Sequence, residues 1–234
     1  MINLSEYIKE SLLNDFDNLS DAMDPREEIE RFLNDTYYYN TARTTDKVFT
    51  ISKKPNKDGL YLVDALSGNW IEVKDSKRES LEYITNGMFV FNKVVGGLSL
   101  RNCINLKSLE GAPREATHFG CIRCSGLKSL KGGPIKVDHF ICTSCNNLTN
   151  LKGSPRYVLK SFVCDNCKNL KSLEGSPVVI GTHFSCEGCT NLKTLKGAPK
   201  EVHGDFDCSS CGGDFSEMDV EKVCKVGGRI ITIE

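Results

Sequence analysis

"FICTSCNNLTNLKGSP", residues 140–155, sets Cys142 and Cys145 three residues apart, the spacing of a zinc knuckle or a redox pair. Five such pairs occur in the chain, and their register decides the fold. The second cysteines, Cys103, Cys124, Cys145, Cys167, Cys189 and Cys211, recur every 21 or 22 residues. Two residues before each first cysteine stands Phe119, Phe140, Phe162, Phe184 or Phe206. Leucines follow three and six residues behind the second cysteine, as Leu148 and Leu151 do here. Each unit then turns on Gly-x-Pro, as at Gly153 and Pro155.

Within one unit, Phe140 and Cys142 alternate with His139 and Ile141, which predicts a short strand with one apolar face. Such a strand is too short to stand alone. Stacking successive units would pair the strands in parallel and lay Phe on Phe and Leu on Leu in one continuous core. Glycine permits positive φ and proline fixes φ without an amide donor, so Gly-x-Pro reverses the chain. With so few residues per coil, a full helix hardly fits on the return. The expected fold is therefore a repeat solenoid, mainly β. In the last three complete coils seven residues instead of six separate proline from phenylalanine.

The spacing Ala116, Phe119, Cys121, Cys124, Leu127, repeated as Val137, Phe140, Cys142, Cys145, Leu148, resembles the leucine-rich repeat segment L-x-x-L-x-L-x-x-C-x-x-L. The return half, "NLKSLEGSP" or "NLKTLKGAP", is similar to the short bacterial class. That resemblance spans about residues 95–211. It implies that the second cysteine takes the asparagine-or-cysteine ladder position and the first an inward leucine position. In the opening coil Leu98 and Leu100 stand in place of Phe and the first Cys.

A structural ladder is accordingly expected of Cys121, Cys124, Cys142, Cys145, Cys164, Cys167, Cys186, Cys189, Cys208 and Cys211, each a small hydrophobe and weak donor. The competing readings are zinc held by Cys₄ sets and a redox or disulfide role. Five equivalent pairs at strand spacing make a ladder more readily than a closed cage, so neither metal nor cofactor is expected. No Ser-His-acid set, phosphate loop or His-Glu-x-x-His occurs, which reads as a non-enzyme.

Composition bounds the rest. Hydrophobic residues make up 39% of the 234, enough for a core. The net charge of −1 argues against a generic polyanion binder, and hence against nucleic acid. Residues 1–40 carry about −7, residues 81–234 about +4. The start, "MINLSEYIKESLL", lacks a basic n-region and apolar h-region, and no apolar run is long enough to span a bilayer. A soluble chain with thiols in a reducing cytoplasm is expected, without a membrane.

Four regions are expected. They are an acidic helical leader (1–40), a small antiparallel β-meander cap (41–80), the solenoid (81–215), and a C-terminal cap (216–234). In the leader, Leu4, Tyr7, Ile8, Leu12 and Leu13 fall near helical spacing, and Asp24 with Pro25 starts a second helix. In the cap at the other end, Ser216 and Asp219 start a short helix, Met218, Val220 and Val223 form its apolar side, and Gly227 and Gly228 stop it. Trp70 is expected in the core of the meander. "LSEYIKESLLNDFDNLSDAMDP" resembles an acidic leader shared by many proteins of tailed bacteriophages, which implies a phage-encoded chain.

Function is expected on the outward strand face, as a protein-protein interaction module. The candidate partner-binding residues are Arg123, His139, Ile141, Thr143, Ser144, Asp165, Asn166 and Glu187. A structural virion or cargo component is the alternative. A ubiquitin-ligase effector would need a catalytic cysteine domain, and residues 1–90 contain no cysteine.

Overall fold

The computed structural model describes residues 24–36, 49–65, 70–74 and 89–232. Two compact units divide the chain, residues 1–36 and 37–234. In the first, helix α1 spans Pro25–Thr36. Asp24 caps it, its carboxylate accepting from the Arg26 amide at 2.9 Å, and Pro25 occupies the first turn, where no amide donor is needed. Ile29 and Leu33, four apart, are its buried pair. The helix expected over Leu4–Leu13 lies outside the described residues.

The second unit is a parallel β-solenoid of about six turns. Its strands are β1 (Phe49–Ile51), β2 (Tyr61–Ala65), β3 (Trp70–Lys74), β4 (Phe89–Arg101), β5 (Glu115–Ile122) and β6 (Lys136–Ile141). From there each coil carries two strands of two residues: β7 (Tyr157–Val158) and β8 (Phe162–Val163), β9 (Val179–Ile180) and β10 (Phe184–Ser185), β11 (Glu201–Val202) and β12 (Phe206–Asp207). A short helix α2 (Glu217–Glu221) precedes β13 (Lys225–Val226) and β14 (Ile230–Ile231). All fourteen described strands join one sheet.

Register follows the sequence columns. Phe119 lies beside Phe140, Phe140 beside Phe162, Phe162 beside Phe184, and Phe184 beside Phe206. Their rings stack at centroid distances of 5.5, 5.2, 6.0 and 4.8 Å in that order. Every phenylalanine of the column is fully buried, as are Leu106, Leu127, Leu148, Leu170 and Leu192. Each such side chain contributes roughly 1.5–3 kcal/mol of transfer free energy. The Gly-x-Pro glycines hold positive φ as expected, and Gly153 shows a second requirement. A Cβ there would sit 2.3 Å from the Lys131 amide nitrogen, so the preceding coil leaves no room for any side chain.

The extra residue noted between proline and phenylalanine splits the strand. Val137 pairs with Val158 and Phe140 with Phe162, so four steps on the later coil oppose three on β6. The Asp138 carbonyl accepts from both the Lys160 and Ser161 amides, at 2.9 and 3.1 Å, a two-against-one bulge. All later coils inherit it.

Two expectations need correction. The three runs over 49–74 do not form an antiparallel meander. β1 and β2 are antiparallel, but β2 and β3 each pair with β4 in parallel, Val63 beside Phe91 and Ile71 beside Leu98. β2 and β3 therefore run in the same direction and form a split layer beside β4; the Ser-Gly-Asn signal itself lies outside the described residues. The environment of the Trp70 side chain lies outside what the structure describes. In the C-terminal cap, the Ser216–Asp219 capping box and buried Val220 agree with expectation, but Met218 is 67% exposed. Gly227 and Gly228 do not stop the helix. They lie between β13 and β14, where Ile230 takes the register position of Phe206's partner.

Candidate functional site

Cysteine placement comes first, because it removes the inward face from consideration. Each second cysteine aims its thiol backwards at the preceding coil. Sγ of Cys145 donates to the Cys121 carbonyl at 3.2 Å, Cys167 to Cys142 at 3.0 Å, Cys189 to Cys164 at 3.2 Å and Cys211 to Cys186 at 3.2 Å. Cys124 makes the same bond to Leu100, where the leucine stands in for the first cysteine, at 3.6 Å. First cysteines donate forwards, Cys121 to Ile141, Cys164 to Ser185 and Cys186 to Asp207, at 3.6, 3.3 and 3.5 Å. The second-cysteine thiols thus tie each coil to a carbonyl of the one before it, whereas the Ser185 and Asp207 carbonyls reached by Cys164 and Cys186 already accept the Cys164 and Cys186 amides, at 2.8 and 2.9 Å.

Eleven of the twelve cysteines are buried, Cys211 is half-buried, and none is bonded to another. Among the described residues no three His, Cys, Asp or Glu side chains come together in a metal-holding group. Burial pushes the Cys208 thiol up to about 12 and that of Cys224 up to about 11. Cys164, fully enclosed beside the Cys142 and Cys189 thiols, is also raised well above the ordinary thiol value. Raised thiols of this kind are poor nucleophiles, whereas Cys142, held down at about 5 by the neighbouring Cys164 and Cys167 thiols, is kept from solvent by its complete burial.

Outward, the sheet offers parallel columns. The innermost is Gly120, Ile141, Val163, Ser185 and Asp207, in direct register through the ladders. Beside it run Ile122, Thr143, Asp165, Glu187 and Ser209, one residue past the first cysteine. On the other flank His118 and His139 stack with ring centroids 4.5 Å apart and planes 3° from parallel. Burial, then the charges of His118 and Lys160, lower the His139 pKa from 6.5, while Asp138 opposes them.

The predicted partner-binding residues divide into two groups. His139, Ile141, Thr143, Asp165 and Glu187 lie on the outward columns of the strand face. Arg123, Ser144 and Asn166 do not share that flat surface. They occupy the corner after the strand with φ of 55°, 58° and 56°, a left-handed position also held by Asn102, Gly188 and Ser210. Their amides extend the ladder, as in the Ser144 amide to Asp165 carbonyl bond of 2.8 Å. The corner aims the second cysteine inwards.

Asp165 also has a structural task. Its carboxylate accepts from the Ser185 hydroxyl and from the Glu187 amide at 3.1 Å. Burial raises its pKa above the usual carboxylate range, with Glu187 and Asp207 adding to the effect against those hydrogen bonds. Two coils on and in the neighbouring column, Asp207 bonds within its own coil, accepting from the Ser209 amide at 2.9 Å and hydroxyl at 2.7 Å. At the end of the His flank Asp205 pairs with Arg229 at 2.8 Å. The sequence places His118 with His139 and His183 on the outward face; Val163 is the residue it missed, and with His118 it completes an apolar and imidazole patch around Ile141. Column arithmetic would have found Val163, since it stands one repeat from Ile141.

Among the described residues no helix is long and apolar enough to cross a membrane. Set against protein-family models, curated proteins and solved structures, the chain matches none.

Proposed function

We propose that the chain is a non-enzymatic protein-binding module that takes its partner on the strand face around Ile141. One observation carries this reading. From Phe119 to Phe206 the inward phenylalanine and cysteine columns hold one residue type, whereas the outward column between them in the same rigid ladders changes at every step, from Gly120 through Ile141 and Val163 to Ser185 and Asp207. Packing accounts for the first pattern and leaves the second free to encode recognition. A hydrogen-bonded sheet loses little freedom on association, so its contacts translate into affinity with a small ordering penalty. Ile141, Val163, Thr143 and the His118–His139 stack form an apolar centre, and Asp165, Glu187 and Asp207 an acidic end. The phage-like leader makes a host or phage protein the natural target, in the cytoplasm where that partner is found.

The double variant Ile141→Arg, Thr143→Arg places two cations at that centre without touching an inward column. Proteins captured from a bacterial lysate by the wild-type chain should be lost from the variant while its circular dichroism is retained. Equal capture by both would move the interface off this face.

A further inference from the structure

The return side of the coils carries a separate surface. Between the second cysteine and the second leucine lie residues 104–108, 125–129, 146–150, 168–172 and 190–194. They contain Lys107, Lys128, Lys168, Lys171 and Lys193 and no Asp or Glu. The remaining outward positions are mostly Asn, Ser and Thr. The net charge of −1 conceals this local excess of lysine.

Four of the lysines fall in one column, and the backbone places them side by side. The Lys128 amide donates to the Lys107 carbonyl at 3.2 Å and the Lys171 amide to Thr149 at 3.0 Å. With about 4.8 Å per coil, Lys107 to Lys193 spans roughly 19 Å along the solenoid axis. Lys128, Lys168, Lys171 and Lys193 are exposed, and among the described residues none has a carboxylate within ion-pair distance. The adjacent column does contain acids, but they are engaged: Glu110 with Lys131 at 3.1 Å, and Glu174 with Lys152 and Lys196 at 3.5 and 2.7 Å. Unpaired ammonium groups held this close repel one another within a Debye length, so a line of anionic charge laid along them is favoured.

We infer that this lysine edge binds an extended acidic peptide segment of a partner, running along the solenoid axis. An extended chain places alternate side chains about 6.6 Å apart, a pitch that flexible lysine stems meet across successive coils. Asn147, Asn169 and Asn191 flank the column as amide donors, and Asn191 already reaches Asn169 at 3.3 Å. The five segments hold no aromatic residue and no arginine, so the stacking platforms and bidentate phosphate forks of nucleic-acid surfaces are missing. Peptide carboxylates suit the edge better than a nucleic acid.

The test is fluorescence anisotropy of a labelled polyglutamate of roughly 20 residues against the full chain, with a single-stranded oligothymidylate of equal charge as the second probe. The expected result is salt-sensitive polyglutamate binding, stronger than oligothymidylate binding, that falls about tenfold or more in Lys128→Gln, Lys171→Gln, Lys193→Gln. These neutral changes lie on exposed side chains, and Lys128→Glu, Lys171→Glu, Lys193→Glu should abolish binding outright. Polyglutamate binding that is absent, or unchanged in both variants, overturns the inference. Stronger binding of oligothymidylate than of polyglutamate overturns it in favour of a nucleic-acid edge.

Discussion

Residues 115–141 and residues 157–207 are built from the same columns but make different sheets. In β5 and β6 one unbroken strand runs from the coil's corner through phenylalanine, to Ile122 in β5 and to Ile141 in β6. In the later coils a single added residue divides it into two strands of two residues each. The core does not register the change: the phenylalanine rings stack at 5.5 Å between continuous coils and 5.2 Å across the junction. The inward columns thus set the stacking, and the strand is only as long as the spacing between them permits. Once one coil bulges, its neighbour must bulge in step to keep phenylalanine on phenylalanine.

The sharpest way to break this comparison is at the bulge itself. A Cβ on Gly181 would stand 1.9 Å from the Leu159 carbonyl oxygen, so Gly181→Ala must push two coils apart. A loss of about 1–3 kcal/mol is expected by chemical denaturation, in line with overpacking. The counterpart Thr117→Ala in continuous β5 should stay within about 0.5 kcal/mol. Equal effects would mean that the split coils are looser versions of the continuous ones, without their own close packing.

A smaller effect lies at the junction, where the charge of bulge residue Lys160, paired with Asp138 at 3.7 Å, acts on His139. Because the folded-state pKa of His139 is lowered from 6.5, the folded chain binds fewer protons than the unfolded one. Its contribution to stability is complete above 6.5 and is lost as pH falls towards the folded value. Lys160→Gln removes one of the charges responsible, so the His139 titration followed by NMR should shift upwards while remaining below 6.5, since burial and His118 persist. An unmoved midpoint would show that the Lys160 charge does not act on the imidazole pair.

Most of the core was legible because packing repeats: Phe140, Cys142, Cys145, Leu148 and Leu151 each stand in a column whose other members share their chemistry. The Asp24–Pro25 helix start and the Ser216–Asp219 box were legible through local capping chemistry. What sequence did not reveal depends on relations between coils. The seven-residue spacing was visible, but that it divides every later strand follows from ladder pairing. β3 looked like the return arm of a hairpin because Ser-Gly-Asn is compatible with either direction of chain travel. Arg123, Ser144 and Asn166 looked like one surface with Ile141 because variability alone does not report φ. The column Asn102, Asn166, Gly188 held the clue, as these residue types tolerate the left-handed region.

The cysteines remain the feature on which the two regions agree, since both continuous and split coils aim their thiols at carbonyls of adjacent coils. Native mass spectrometry, before and after iodoacetamide, tests this most directly on protein purified without added metal or chelator. The expected native mass is that of the polypeptide alone. Label should enter at Cys211, half-buried and with its pKa lowered by the Cys186 thiol, and at all twelve cysteines only after unfolding. A stoichiometric metal adduct, or rapid native labelling of Cys142 and Cys145, would contradict the ladder.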